Sequence, residues 1–241
     1  LKEARRESPL DLPNVRPIRR LLPFLLLGCA VSPKKNPPLV AETVLLLPGM
    51  GRTPASLAGL GRRLEEEGFR TVAWPYRSLR GSVEEHGRRL QEKLVALDGD
   101  PSVSRIHLVG HSLGAIVARH ALTLGIPRKM GRVVMISPPN AGSRLARRAA
   151  PLFSWIAAPL AELSDDPGSF VRRLGVPEGV EIGVIAAAWD EKVRREETHL
   201  PGEADFAVVP GLHGFSFAPR ELAGRVVEFL RRGRFGPTGE R

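Results

Sequence analysis

Near the middle of this 241-residue chain stands Gly110-His111-Ser112-Leu113-Gly114, a serine with a glycine two positions to either side. An apolar run, Ile106 to Val109, leads into it, and an amphipathic stretch with Ile116, Val117 and Ala121 leaves it. Strand, tight turn and helix in that order lift a serine hydroxyl above the end of a sheet, where it can act as a nucleophile. A β-carbon at either glycine would strike the adjoining strand or helix. The helix start adds a positive dipole end beside the serine. Such a serine needs a base to take its proton and a place for the charge of an oxyanion.

The base must be a histidine, and the chain has six. His107 falls within the third strand and His120 within the following helix, so both read as structural or exposed. His111 is part of the turn itself, and His86 reads as lying on a charged helix face. His199 and His213 remain. With a serine on a strand-to-helix turn the expected order is serine, acid, histidine, the histidine following the last strand. That favours His213, between Phe206–Val209 and the final helix, while His199 precedes that strand. The acid is expected after the strand before, which points to Asp190, with Asp205 and Glu191 as rivals. Asp190 would hold the imidazole in one tautomer and stabilise its charged form.

The elements that must position these residues follow from periodicity. Short β-rich runs alternate with amphipathic stretches, which predicts a parallel sheet covered by helices. Strands are expected at Val40–Leu47, Thr71–Trp74, Ile106–Val109, Val133–Ser137, Ile182–Ala187 and Phe206–Val209. Helices are expected through Leu57, Leu60 and Leu64 to an end near Gly68, over about Ser82–Leu97, from just after Ser112 to about Leu124, and over Pro219–Arg231. A less regular insert occupies 141–179. Residues 40–233 read as one domain and 234–241 as a frayed tail.

Several blocks together resemble one family. They are Leu47-Pro48-Gly49-Met50-Gly51-Arg52, the pentapeptide at Ser112, Pro138-Pro139-Asn140-Ala141-Gly142-Ser143, Asp190-Glu191-Lys192-Val193, and Asp205-Phe206-Ala207-Val208-Val209-Pro210 leading to His213. From Val40 to Gly233 the chain resembles bacterial lipase/esterase-like α/β-hydrolases, and is similar to their triacylglycerol-lipase and GPI-inositol-deacylase-like branches. The resemblance implies an α/β-hydrolase fold: a mostly parallel sheet of about six strands, helices on both faces, and a small insert in place of a large cap. It implies a triad of Ser112, Asp190 and His213, with the backbone N–H groups of Met50 and Leu113 as the oxyanion hole. It implies a serine esterase or lipase cleaving carboxylic esters, lipid or acyl esters among them. An acyltransferase or thioesterase would use the same triad, and a silent fold used only for binding is the reading of another class. One departure stands out: Glu191 occupies a place where relatives usually have glycine after the aspartate.

Where relatives carry a lid, this chain has Leu152-Phe153-Ser154-Trp155-Ile156-Ala157-Ala158-Pro159-Leu160. Phe153, Trp155 and Ile156 are expected either to line an acyl pocket, to touch lipid, or to pack as a short helix on the core.

The net charge is +10, and the basic residues come in scattered pairs such as Arg62-Arg63, Arg88-Arg89, Arg147-Arg148, Arg172-Arg173 and Arg231-Arg232. Without a zinc-finger spacing or an aromatic-studded basic strand, nucleic acid is not expected as a partner. No metal and no organic cofactor are expected. The single cysteine, Cys29, rules out a disulfide within the chain. It closes Arg19-Arg20-Leu21-Leu22-Pro23-Phe24-Leu25-Leu26-Leu27-Gly28-Cys29, basic residues and then an apolar run too short to span a bilayer. Leu26-Leu27-Gly28-Cys29 resembles the lipobox of bacterial lipoproteins, in which the cysteine is lipidated. Residues 1–39 therefore read as an export signal and tether, placing the protein in a bacterial envelope, membrane-associated through its N-terminus. If that segment is not a working signal, the location is cytoplasmic.

Overall fold

In the computed structural model, residues 40–214 and 219–236 are described. The export-signal reading of 1–39, Cys29 included, lies outside the described residues, as does most of the tail. Six strands form one sheet, and they alternate with helices as the periodicity predicts. In chain order the elements are β1 (Ala41–Leu47), α1 (Ala58–Glu66, entered through a 3-10 turn at Pro54–Leu57), β2 (Arg70–Ala73), α2 (Val83–Gly99), β3 (Val103–His111) and α3 (Leu113–Leu124). There follow β4 (Met130–Ile136), α4 (Arg144–Phe153), α5 (Pro159–Glu162), α6 (Phe170–Arg173), β5 (Ile182–Ala187), α7 (Arg195–Thr198), β6 (Asp205–Val209) and α8 (Pro219–Arg232).

Every strand pair is parallel, in the order β2-β1-β3-β4-β5-β6. The chain starts at β1, moves outward to β2, then returns across β1 and proceeds the other way. That reversal leaves a crevice between β1 and β3 at the carboxyl ends of the strands, where open parallel sheets place their ligands.

Side chains alternate between the two faces of each strand. Leu45, Leu47, Leu108, Met135 and Val184 join Leu90 and Leu94 of α2 and Ile116 of α3 in one core. Val44, Leu46, Val109, Val134 and Ile185 join Leu60 and Leu64 of α1 and Val226, Phe229 and Leu230 of α8 in the other. Burial on both faces explains the nearly unbroken apolar runs of β1 and β3.

Two expectations need correction. β3 and β4 each begin three residues before their expected starts, β3 because the exposed Ser104 and Arg105 extend it with no hydrophobic signal and β4 because the half-buried Met130, Gly131 and Arg132 extend it. The insert is more ordered than its sequence suggests. It holds α4, whose Ser143 cap accepts a hydrogen bond from the Ala146 N–H at 3.3 Å, and the short helices α5 and α6. The arginine pairs fall on exposed faces of α1, α2, α4, α6 and α8.

Candidate active site

Ser112 joins β3 to α3 with φ 52° and ψ −120°, a conformation costly for any residue with a β-carbon. Its own N–H is held by the Ile136 carbonyl at 2.8 Å, across the sheet in β4. The flanking glycines are needed for space. A β-carbon on Gly110 would lie 2.6 Å from the Ala115 backbone, and one on Gly114 2.4 Å from the Leu47 carbonyl oxygen. The last contact also shows how closely the end of β1 abuts the start of α3.

His213 and Asp190 meet the serine from the ends of β6 and β5. The Ser112 hydroxyl donates to Nε2 of His213 at 3.0 Å. Nδ1 of His213 lies 2.9 and 2.8 Å from the two carboxylate oxygens of Asp190, to which its N–H donates. The side chains of His213 and Asp190 are 6% and 3% exposed, so solvent screens this pair little. The N–H groups of Lys192 and Val193 also donate to Asp190 Oδ1, at 2.9 and 2.8 Å. Burial alone would raise the Asp190 carboxyl. The hydrogen bond and charge of His213, with the Ser137 hydroxyl and the Val193 N–H, outweigh it and hold the carboxyl below its ordinary value.

Of the rivals, His199 and Asp205 lie elsewhere, whereas Glu191 stays beside His213 through that histidine's backbone. His199 stacks on Phe206 with ring centres 4.0 Å apart, and its Nδ1 pairs with Glu203 at 2.6 Å. Asp205 accepts the N–H groups of Phe206 and Phe235, tying the C-terminal segment to the sheet. His107 is buried between Glu42, 3.2 Å from Nε2, and the Arg132 N–H, which donates to Nδ1 at 2.9 Å. His120 is buried edge-on to Phe170. His86 corrects the expectation of a charged face: it is buried, edge-on to Tyr76. Val83 (i−3) and Leu90 (i+4) neighbour His86 on α2, so the apolar stripe of that helix includes it.

The loop after β1 is brought beside the serine. A β-carbon on Gly49 would lie 3.2 Å from Cβ of Ser112. The Tyr76 hydroxyl donates to the Pro48 carbonyl at 2.7 Å, and the Gly51 N–H donates to Ser78 Oγ at 3.0 Å, so the Met50 peptide is clamped on both sides. Burial raises the Tyr76 phenol well above its usual range, which keeps it a donor. Leu113 is the first residue of α3, where backbone N–H groups are free of intrahelical partners.

Several contributors were not foreseen. His111 Nε2 lies 2.8 Å from the carbonyl oxygen of His213, with ring centres 5.0 Å apart. Burial first, and then the charge of His213, lower the His111 imidazole to about 4. The neutral ring therefore donates from Nε2. Glu191 accepts the His213 N–H at 3.1 Å, so the residue that departs from the family pattern fastens the histidine's own backbone. Ser137, fully buried with φ 44°, closes β4 next to Asp190. None of these contacts carries a local signal, since the partners of His111 and Glu191 are 102 and 22 residues away.

The insert borders the same edge of the sheet. The Ala158 N–H donates to the Leu79 carbonyl at 3.1 Å, and Ser143 Oγ donates to the Lys192 carbonyl at 2.9 Å. Phe153, Trp155 and Ile156 are 50%, 82% and 46% exposed, so they project to solvent rather than packing as a core helix. A hollow of about 200 Å³ is lined by Arg144, Leu145, Arg148, Lys192 and Arg194 together with the acids Asp190, Glu191 and Glu197, and none of the three apolar residues enters it. Among the described residues no cluster of three metal-ligating side chains is present.

The model of the alpha/beta hydrolase family matches residues 44–220, and the chain belongs to that family. Its fold is shared by solved bacterial and archaeal enzymes. Est1E from Butyrivibrio proteoclasticus is 14% identical, with a TM-score of 0.64 over 83% of this chain and 91% of its own. The mature lipase BlEst2 of Bacillus licheniformis is 14% identical, with a TM-score of 0.59 over 76% of this chain and 89% of its own. The Pyrococcus furiosus esterase Pf2001 is 21% identical, with a TM-score of 0.58 over 80% and 83%. No curated protein matches by sequence.

Proposed function

We propose that this hydrolase cleaves carboxylic esters through an acyl-enzyme on Ser112. One observation carries the reading: His213 sits between Ser112 Oγ at 3.0 Å and the Asp190 carboxylate at 2.8 Å. In this reading Ser112 Oγ attacks the ester carbonyl carbon while His213 Nε2 takes its proton. The ester C–O bond then breaks, and the alcohol leaves with that proton. Water attacks the acyl-enzyme, giving its proton to His213, and the acid departs as Ser112 recovers its own. Asp190 keeps Nδ1 protonated and balances the imidazolium. The Met50 and Leu113 N–H groups are assigned to the oxyanion. Such donors, pre-oriented at the developing charge, are worth about 100- to 1,000-fold each. Acyl esters of lipids fit the reading, supported by the exposed apolar insert beside the site. An envelope location through residues 1–39 belongs to the same proposal.

The test is labelling by a fluorophosphonate and turnover of a chain-length series of nitrophenyl esters. Ser112→Ala is expected to abolish labelling, and Asp190→Asn to lower kcat by about 10,000-fold with the fold intact. A folded parent that neither labels nor hydrolyses any ester defeats the proposal and leaves a binding role for the fold.

A further inference from the structure

α4 and the turn after it combine three properties. The first is apolar exposure: Leu152, Phe153, Trp155 and Ile156 cluster at the end of α4 and in the turn after it, with Leu145 two turns earlier, all between 46% and 82% exposed. Clusters of large exposed apolar side chains mark a surface that something covers.

The second property is charge. On α1, α2 and α8 several arginines are matched by glutamates one turn away, as in Arg63–Glu67, Arg89–Glu85 and Arg232–Glu228. α4 has three arginines and no acid. Arg147 pairs with Asp165 at 3.1 Å. Arg144 and Arg148, with Lys192 and Arg194 beside them, have no ion-pair partner among the described residues. The acids nearby are already engaged: Asp190 by His213, Glu191 by the His213 N–H, and Glu197 by the N–H groups of Arg144 and Arg194.

The third is polar satisfaction. The indole N–H of Trp155 donates to the Leu152 carbonyl at 3.0 Å, and the N–H groups of Ile156 and Ala157 both donate to the Phe153 carbonyl at 3.0 Å. The turn can enter a non-aqueous phase without stranding these donors.

Apolar anchors with satisfied donors beside unpaired cations are the features of an amphipathic segment that lies in a lipid interface. We infer that α4 and residues 154–156 form a docking surface for an anionic phospholipid bilayer. Trp155, Phe153 and Leu152 enter the acyl boundary while Arg144 and Arg148 meet lipid phosphates. Because α4 is fastened through Ser143 to the Asp190 loop, docking would bring the site to the membrane. That consequence rests on the ester-hydrolase reading, whereas the docking itself does not.

The experiment is flotation of the full chain with phosphatidylcholine vesicles, with and without phosphatidylglycerol, alongside tryptophan quenching by brominated phosphatidylcholine. The parent is expected to float with the anionic vesicles and to be released by salt. Arg144→Gln and Arg148→Gln should each weaken binding about fivefold, as expected for one surface cation on an anionic leaflet. Trp155→Phe should remove the quenching, and a Phe153→Ser, Trp155→Ser double variant should lose at least about tenfold in binding. If the patch variants float like the parent, another part of the chain does the binding and the inference is overturned. It is equally overturned if the parent ignores both vesicles, or if the patch variants only convert a dimer to a monomer, since a second copy is then the occupant. Binding is read without turnover, so an inactive enzyme that floats still supports docking while failing the proposal above.

Discussion

The two banks of the site are built in opposite ways. On one, the strand ends carry Ser112, Asp190 and His213, with the first strained, the other two buried, and each fastened by contacts across the sheet. On the other, the insert presents Leu152, Phe153 and Trp155 to solvent and is tied down through backbone and cap contacts. A rigid strand edge fixes reacting atoms to within fractions of an ångström, which catalysis requires. The insert is free to carry surface chemistry because little of the core depends on its outward side chains. The difference teaches where substitutions should hurt, and how.

The hardest blow to the rigid bank is Gly114→Ala. The new methyl would meet the Leu47 oxygen at 2.4 Å and the Pro48 oxygen at 2.7 Å, both backbone atoms that cannot turn aside. We expect a loss of about 1–3 kcal/mol in denaturant unfolding, the usual cost of overpacking, with turnover of the proposed ester substrates falling further because the loop assigned to the oxyanion in that proposal is displaced. A melting curve and activity like the parent's would show that the β1–α3 approach is looser than described.

Acid should reach the same bank before it reaches the insert. His86, His107, His111 and His120 are buried, and burial lowers each imidazole below its ordinary value, His111 to about 4. The folded values lie below the unfolded one, so the unfolded chain binds more protons as pH falls from about 6.5. Stability is therefore full above that pH and declines below it, by up to about 1.4 kcal/mol per pH unit for each histidine held neutral. Asp190, depressed in the fold, adds a second loss only below its ordinary range near pH 4. His111→Gln should flatten the slope between about pH 6.5 and 4 in urea titrations. An unchanged slope would remove His111 from the account.

A smaller effect should follow from loosening the clamp on Met50. Tyr76→Phe deletes the 2.7 Å hydrogen bond to the Pro48 carbonyl and leaves the ring stacked on Trp74. One such bond is worth about 1 kcal/mol, so kcat should fall about fivefold with KM nearly constant. A change in KM alone would mean the loop holds substrate rather than the transition state.

What could be read from the sequence divides along the same line. Ser112 was legible because its signal is local: two glycines, a strand before and a helix after. The parallel sheet covered by helices was legible for the same reason, since periodicity is a local property, while the placing of helices on both faces came from the family resemblance. Asp190 and His213 could be chosen only by their order along the chain and by the family resemblance, with Asp205, Glu191 and His199 left as rivals. The fold brings the chosen pair beside the serine, and Asp205 and His199 have other partners. The contacts of Tyr76, His111 and Glu191 were not legible, because they depend on which loops meet above the sheet. His86 was misjudged from its charged neighbours Glu84, Glu85, Arg88 and Arg89, although Val83 and Leu90 on the same stripe carry it inward. The insert was the least legible, since its apolar run fits a pocket, a core helix or an exposed face equally well by pattern.

The smallest expected effect is on the insert itself and is the sharpest test of the contrast. At 82% exposure Trp155 covers little of the core, and its indole N–H bonds only within its own turn. Trp155→Ser should therefore change the unfolding free energy by no more than about 0.5 kcal/mol, as for an ordinary surface site. Removing an exposed indole also removes an aggregation hazard, so the variant should be at least as soluble as the parent. A loss of 2 kcal/mol or so, the scale of a truncated core residue, would mean that the ring is buried in solution. The insert would then fold inward over the strand ends, and the two banks would be one structure rather than two.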